Sequence, residues 1–328
     1  MGSVRLDLDD TVAGIRSGDR RVLSQAITLI ESRRAEDALL AQDLLGRLIP
    51  YTGKAQRVGI SGVPGVGKST LIDALGSHLV EQGLSVAVLA VDPSSSISGG
   101  SILGDKTQMR RLARSDNAYI RPSPSTQSLG GVGRRTREAM LVCEAAGFDV
   151  VFVETVGVGQ SETMVANMVD CFVVLMLPGG GDELQGIKKG ILELADLVVV
   201  NKADEDNMDR ARLAVAEYSA ALRIARRSSE GWHPRALRIS ARTGDGIQEL
   251  WALIQEHRRL LLQDHVLQDK RQRQRVHWMW SRIEERLLTG FRGHPGVGER
   301  LAQIEAEVLA GRVTPDHAAS ELLAIFEG

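Results

Sequence analysis

The chain predicts an α/β fold, with a mostly parallel central sheet flanked by helices, a helical segment before it and a helical arm after it. Three observations predict this. Short β-branched runs alternate with amphipathic stretches between residues 51 and 262. The runs are almost continuously apolar, as strands are when both faces of a sheet are covered. Residues 1–50 and 263–328 instead carry apolar residues at helical intervals.

In the first segment, 1–50, Val12, Ile15, Leu23, Ala26, Ile27 and Ile30 recur at helix-like spacing with charges between them. Tyr51-Thr52-Gly53 reads as a turn into the central domain, 51–262. Its strand-like runs are 57–61, 85–92, 149–154, 171–177, 197–201 and 237–240. In such a sheet ligands gather at the carboxyl ends of strands, and every motif below sits at one. In the third segment, 263–328, Val276, Met279, Ile283 and Leu287 form one stripe, with Gly290 as its stop. A turn at Gly293, Pro295 and Gly296 precedes two shorter helices, near 299–310 and 315–326. The basic run 270–275 reads as a solvated helix face.

Composition excludes several classes. Forty basic residues against 42 acidic ones, net charge −2, argue against nonspecific nucleic-acid binding. No apolar run reaches the roughly 20 residues that span a bilayer. The acidic start lacks the basic-then-apolar layout of a secretory signal, and Leu6 stands where a myristoylation motif needs Ser or Thr. Cys143 and Cys171 show no metal-ligand spacing and read as buried, reduced thiols. These features predict a soluble cytoplasmic protein with no membrane or nucleic-acid partner.

Residues Gly62, Val63, Pro64, Gly65, Val66, Gly67, Lys68 and Ser69, followed by Thr70, match GxxxxGK[ST] in full. Glycines let backbone N–H groups turn inward around an anion, and the following helix adds its N-terminal dipole. Lys68 can reach the β- and γ-phosphates, and the Ser69 hydroxyl can ligate Mg²⁺. The fold is therefore a P-loop NTPase fold. The metal needs an acidic partner at a strand end, and Asp92 and Glu154 both qualify. Asp105, in Gly104-Asp105-Lys106-Thr107, is a third candidate. Gly157, three residues after Glu154, would let a backbone N–H approach the γ-phosphate.

Asn201-Lys202-Ala203-Asp204 follows a strand and matches NKxD. A carboxylate at Asp204 can accept from the N1–H and the exocyclic amine of guanine, a donor pair that adenine lacks. The Lys202 stem can cover the base face. Ser240-Ala241-Arg242 resembles the loop that backs the guanine carbonyl with a backbone N–H. The ligands expected are Mg²⁺ with GTP or GDP, and no tightly bound organic cofactor.

Together VGISGVPGVGKST, VLAVDPSSS, GGSILGDKT, RPSPS, VETVGVGQSE, LMLPGGGDELQGIKKGILELAD and NKAD resemble the MeaB/ArgK/MMAA family of GTPases. The resemblance implies a G-protein chaperone of an adenosylcobalamin-dependent acyl-CoA mutase, with methylmalonyl-CoA mutase the family default. Such a protein gates cofactor delivery and protects or reactivates the mutase, and the cobalamin adenosyltransferase is a further candidate partner. The resemblance also implies a homodimer joined through residues 263–328, and a switch segment after Pro178-Gly179-Gly180-Gly181 in which Asp182, Gln185 and Lys188 order toward nucleotide or partner.

Gln160 is a candidate to orient water, and Arg110, Arg134 and Arg135 are candidates to stabilise charge; each arginine reads first as an ion-pairing residue. Slow intrinsic hydrolysis completed by a partner is the expected behaviour. A metal-insertion GTPase would share the nucleotide site, but the seven histidines show no clustered spacing. A P-loop kinase would have little use for a guanine reader.

Overall fold

The computed structural model describes residues 7–32, 34–91, 109–122, 129–155, 161–179, 189–224 and 231–328. They fall into two compact units, Met1–Arg271 and Gln272–Gly328.

The first unit is built on seven parallel strands: β1 (Gln56–Gly62), β2 (Val86–Val91), β3 (Ala118–Arg121), β4 (Val150–Thr155), β5 (Cys171–Met176), β6 (Leu197–Val200) and β7 (Arg235–Arg238). Their order is β3-β2-β4-β1-β5-β6-β7. The chain leaves β1 toward β2 on one side, and after β4 it crosses to β5 on the other. β1 thus lies where the winding reverses, the place where open α/β sheets form ligand crevices.

Three helices precede the sheet: α1 (Leu8–Arg16), α2 (Arg20–Glu31) and α3 (Ala35–Leu48). Asp7 and Asp19 start the first two by accepting backbone N–H bonds from Asp9 (2.9 Å) and Arg21 (2.8 Å). Within and after the sheet come α4 (Lys68–Glu81), α5 (Leu129–Ala145), α6 (Ser161–Ala166), α7 (Lys189–Leu194), α8 (Met208–Ile224) and α9 (Ile247–Leu262). One sheet face packs on α1–α3, α5, α6 and α8 through residues such as Ile27, Leu44, Val153 and Tyr218. The other packs on α4 and α9 through Ile60, Leu75, Phe152 and Leu250. The predicted apolar residues Ile15, Leu23, Ala26, Ile27 and Ile30 are all buried. Gly59 is buried in β1, where a Cβ would meet Val165 and Phe172 side chains at 2.9 Å.

α2 runs beside the edge strand β3. Arg20 donates to the Asp116 carbonyl, Ser24 Oγ lies 3.3 Å from the Tyr119 hydroxyl, and Arg121 donates to Thr28 Oγ1 (3.2 Å) and pairs with Glu31.

A long helix, α10 (Val266–Gly293), leads into α11 (Pro295–Leu309) and α12 (Pro315–Glu327). In the second unit Val297, Ile304, Ala318 and Leu322 form a small core, and Arg300 ties Glu307 (3.1 Å) to Glu321 (2.6 Å).

Several sequence expectations shift. β3 has no counterpart among the strand-like runs, because Ala118–Arg121 is only four residues and half of them are polar or small. The last strand begins at Arg235 rather than 237, since an edge strand tolerates charge where a central one does not. Gly290 does not stop α10, which continues to Gly293, and His294 alone separates it from α11. Lys270 and Arg271 are not a solvated face: they are held by Asp170 and Asp196.

Candidate functional site

The phosphate loop leaves the top of β1 and enters α4. Gly62 has φ 148°, and a Cβ there would fall 2.5 Å from the Leu175 carbonyl oxygen, so only glycine fits between β1 and β5. Gly67 caps α4 at φ 97°, and a Cβ there would meet Asn201 Nδ2 at 2.5 Å. Lys68 and Ser69 follow in the first turn of α4, both buried.

Lys68 Nζ donates to the carbonyls of Gly62 (2.9 Å) and Val63 (3.2 Å), curling back over its own loop. Burial pulls its ammonium below the ordinary lysine value, while Glu154 and Glu162 oppose that shift. Ser69 Oγ donates to Glu154 Oε1 at 2.8 Å, and both side chains are buried. Beside them Thr155 Oγ1 donates to Ser61 Oγ at 2.8 Å, tying the top of β4 to that of β1. A hydroxyl from the first turn of α4 and a carboxylate oxygen from the end of β4 form a hard-oxygen donor set, which suits Mg²⁺.

At the second site Asn201 bridges two loops. Its Nδ2 donates to the Val66 carbonyl (2.8 Å), and its Oδ1 accepts from the Ala241 backbone N–H (3.0 Å). Lys202 is left-handed at φ 60°, which turns the chain between Asn201 and Asp204. Asp204 accepts from Ser240 Oγ and lies 3.3 Å from Arg242, whose guanidinium also pairs with Glu205 at 2.6 Å. A carboxylate held this way can accept a pair of donors from a ligand in its plane.

The structure thus brings Gly62–Ser69, Glu154, Asn201, Asp204 and Ser240–Arg242 to the carboxyl ends of β1, β4, β6 and β7, with Thr70 one residue further along α4. Asp92, Asp105, Gly157, Gln160, Asp182, Gln185 and Lys188 lie outside the described residues. Arg134 pairs with Glu138 at 3.0 Å, an ion pair within α5.

Two features escape a reading of the sequence. Glu162, buried in the first turn of α6, acts on the Lys68 charge; its one signal is an acid opening the helix after the Glu154 loop. Arg242 and Ser240 act on Asp204 through their side chains, whereas the motif suggests only a backbone contact.

The fold and the loop define a P-loop nucleotide hydrolase, and the linked NKxD element makes it one of the GTPases. The chain belongs to the MeaB family: the model described as "Methylmalonyl Co-A mutase-associated GTPase MeaB" matches residues 23–296. A "Putative GTPase" from Caulobacter vibrioides is 53% identical, covering 98% of both chains. The "Methylmalonic aciduria type A homolog, mitochondrial" of Mus musculus is 49% identical over 98% of this chain and 80% of its own. A crystal structure described as "LAO/AO transport system kinase" is similar with a TM-score of 0.80 at 41% identity, covering 98% of both chains.

Proposed function

We propose that this protein is a Mg²⁺-dependent GTPase whose slow cycle gates an adenosylcobalamin-dependent acyl-CoA mutase, methylmalonyl-CoA mutase in the first instance, in cofactor loading and protection. The observation that carries the guanine assignment is the Asn201 bridge. It ties the Asp204 loop to the phosphate loop through Val66 and to the Ser240–Arg242 loop through Ala241, so one ligand can span them. Membership of a family named for mutase association supports the partner.

In this reading the loop N–H groups between Gly62 and Thr70 receive the phosphates. Lys68 gives up its two carbonyl contacts and turns its ammonium toward the β- and γ-phosphate oxygens. Ser69 and Glu154 would hold Mg²⁺, with Asp92 and Asp105 as further candidate ligands; the ion supplies neutralisation of phosphate charge. Gly157 presents its backbone N–H to the γ-phosphate. Asp204 reads the two donors of guanine, Ser240 and Arg242 keep its carboxylate oriented, the Ser240–Arg242 loop backs the base carbonyl with a backbone N–H, and the Lys202 stem covers the base face. Asp182, Gln185 and Lys188 order toward nucleotide or partner when the mutase binds.

The domains are 1–50, a helical buttress; 51–262, the GTPase domain; and 263–328, the arm through which two copies pair. Exposed Val276, Met279, Trp280, Ile283 and Leu287 on α10 support that pairing, because an apolar helical stripe left in water calls for a cover. A cytoplasmic setting fits two buried free cysteines, and among the described residues no helix is long and apolar enough to cross a membrane. A kinase reading, which one similar structure's description raises, leaves the Asp204 arrangement without a task.

Steady-state hydrolysis of GTP and ATP, with and without a methylmalonyl-CoA mutase from the same organism, tests the proposal. Slow GTP turnover that the mutase stimulates, with ATP inert, is expected. GTP turnover indifferent to every acyl-CoA mutase offered would sink the chaperone part, and ATP turnover equal to GTP would sink the base assignment.

A further inference from the structure

The lower end of the sheet, opposite the nucleotide loops, holds a buried ionic cluster that the hydrolytic reading does not use. Asp170, just before β5, is 3% exposed. It accepts two bonds from Arg271, Nε to Oδ1 at 2.8 Å and Nη2 to Oδ2 at 2.6 Å, and one from the Arg57 backbone N–H at 2.9 Å. The same guanidinium donates to the carbonyls of Gly53 (2.6 Å) and Ala55 (2.7 Å), at the entry to β1. Lys270 Nζ donates to the Asp170 carbonyl at 2.6 Å and stands 3.8 Å from Asp196 Oδ2. Asp196 is the residue before β6, and it accepts the Phe172 backbone N–H at 2.8 Å.

Two adjacent side chains near the start of α10 therefore grip the beginnings of β1, β5 and β6. The far ends of these strands are Gly62, which opens the phosphate loop, Met176, and Val200, which precedes Asn201. Strands laddered on both sides in a close-packed sheet do not stretch, so a shift at one end is felt at the other. α10 reaches the grip through a strained connection: Asp264 and His265 are left-handed, at φ 52° and 62°, without being glycine. Such conformations persist only where their surroundings hold them, and they gather at segments with two arrangements. Beyond the grip the same helix carries the exposed stripe from Val276 to Leu287.

We propose that Arg271 and Lys270 form an ionic joint that couples nucleotide state at the tops of β1, β5 and β6 to the root of α10. The joint rests on the GTPase reading above and goes beyond it. By thermodynamic linkage the coupling runs both ways: nucleotide tightens the helix root, and loosening the root alters nucleotide preference by the same factor. A clamp with a purely structural role would lower stability and leave that preference alone.

The test uses the full chain, as wild type, Arg271→Met and Arg271→Lys. Amide hydrogen exchange across residues 266–271 is followed without nucleotide, with GDP, and with a non-hydrolysable GTP analogue. Affinities for both nucleotides are measured in parallel. In the wild type the GTP analogue should slow exchange at the helix root by about fivefold or more relative to GDP. Arg271→Met should abolish that difference and change the ratio of the two affinities by a similar factor, with partial recovery in Arg271→Lys. Exchange at 266–271 that ignores nucleotide overturns the joint while leaving the GTPase. A lower melting temperature in Arg271→Met with an unchanged affinity ratio overturns it as well. If Arg271→Met does not fold, Arg271→Lys and Asp170→Asn carry the same comparison, and an unchanged affinity ratio in both overturns the joint. Failure of the wild type to bind either nucleotide overturns the GTPase reading, and the joint with it.

Discussion

Replacing Asn201 with alanine separates the two halves of the site without touching a ligand-facing group. The side chain is 2% exposed, and its amide serves two buried backbone groups, the Val66 carbonyl at 2.8 Å and the Ala241 N–H at 3.0 Å. A buried polar group left without its partner costs about 1–3 kcal/mol. Two such groups, partly rehydrated by water entering the vacated space, give a loss of about 2–4 kcal/mol. For a unit of this size that corresponds to a fall in melting temperature of roughly 4–16 °C. Because the phosphate loop and the base loop both lose their tie, GDP and GTP should weaken together, by tenfold or more (about 1.4 kcal/mol per decade). Asn201→Asp is the informative control. It keeps an acceptor for Ala241 but sets a carboxylate oxygen against the Val66 carbonyl, so it should fare no better than alanine. Thermal melts of the nucleotide-free protein and titrations with fluorescent GDP and GTP measure both effects. An unchanged melting temperature, or a loss confined to one nucleotide, would refute the idea that Asn201 joins the two loops.

Asp204→Asn should weaken GTP by at least about tenfold, the scale of a lost charge-assisted bond, and favour xanthosine triphosphate; equal GTP affinity in a competition assay would contradict the assignment. Asp170→Asn should cost about 3–5 kcal/mol at neutral pH by stranding Arg271 in a buried site. Burial alone would raise the Asp170 carboxyl, but Arg271 and Arg57 outweigh it and hold the group below the usual carboxylate range. Its contribution is therefore complete above about pH 4 and disappears as pH falls through the depressed value. The gap in melting temperature between wild type and variant should accordingly narrow only on the acid side, and a gap that narrows toward alkaline pH would refute the sign. Burial pushes the Cys143 and Cys171 thiols up, out of the range where thiolate forms near neutrality. A thiol reagent at pH 8 should find neither cysteine in the native protein and both after unfolding.

How far the sequence reaches depends on whether the cause of a feature is local. The phosphate loop is legible because its glycines, lysine and serine answer to a single curve of backbone at fixed spacing. The central strands are legible because burial on both faces leaves an unbroken apolar run, as in Val86–Val91. β3 is not, since four residues at an edge need no such run. Lys270 and Arg271 look like a solvated face because the partner that holds them both, Asp170, stands 100 and 101 residues away in the chain. Asn201 reads as part of a base motif, yet its amide reaches Val66 and Ala241, a task that only the closed sheet reveals. Gly290 looks like a stop by its residue type, but nothing in the helix requires a left-handed turn there, and α10 continues.

The helix α2 beside β3 has a consequence for how the molecule is made. An edge strand offers its unpaired backbone to any neighbour, including another unfinished copy. Here the anchoring helix precedes the strand in the chain: Arg20, Ser24, Thr28 and Glu31 leave the ribosome before Asp116, Tyr119 and Arg121, which they meet. The side chains that anchor this edge are therefore made before the strand they anchor. The opposite edge, β7, emerges late and carries its own deterrent, Arg235 locked to Glu256 at 2.7 Å.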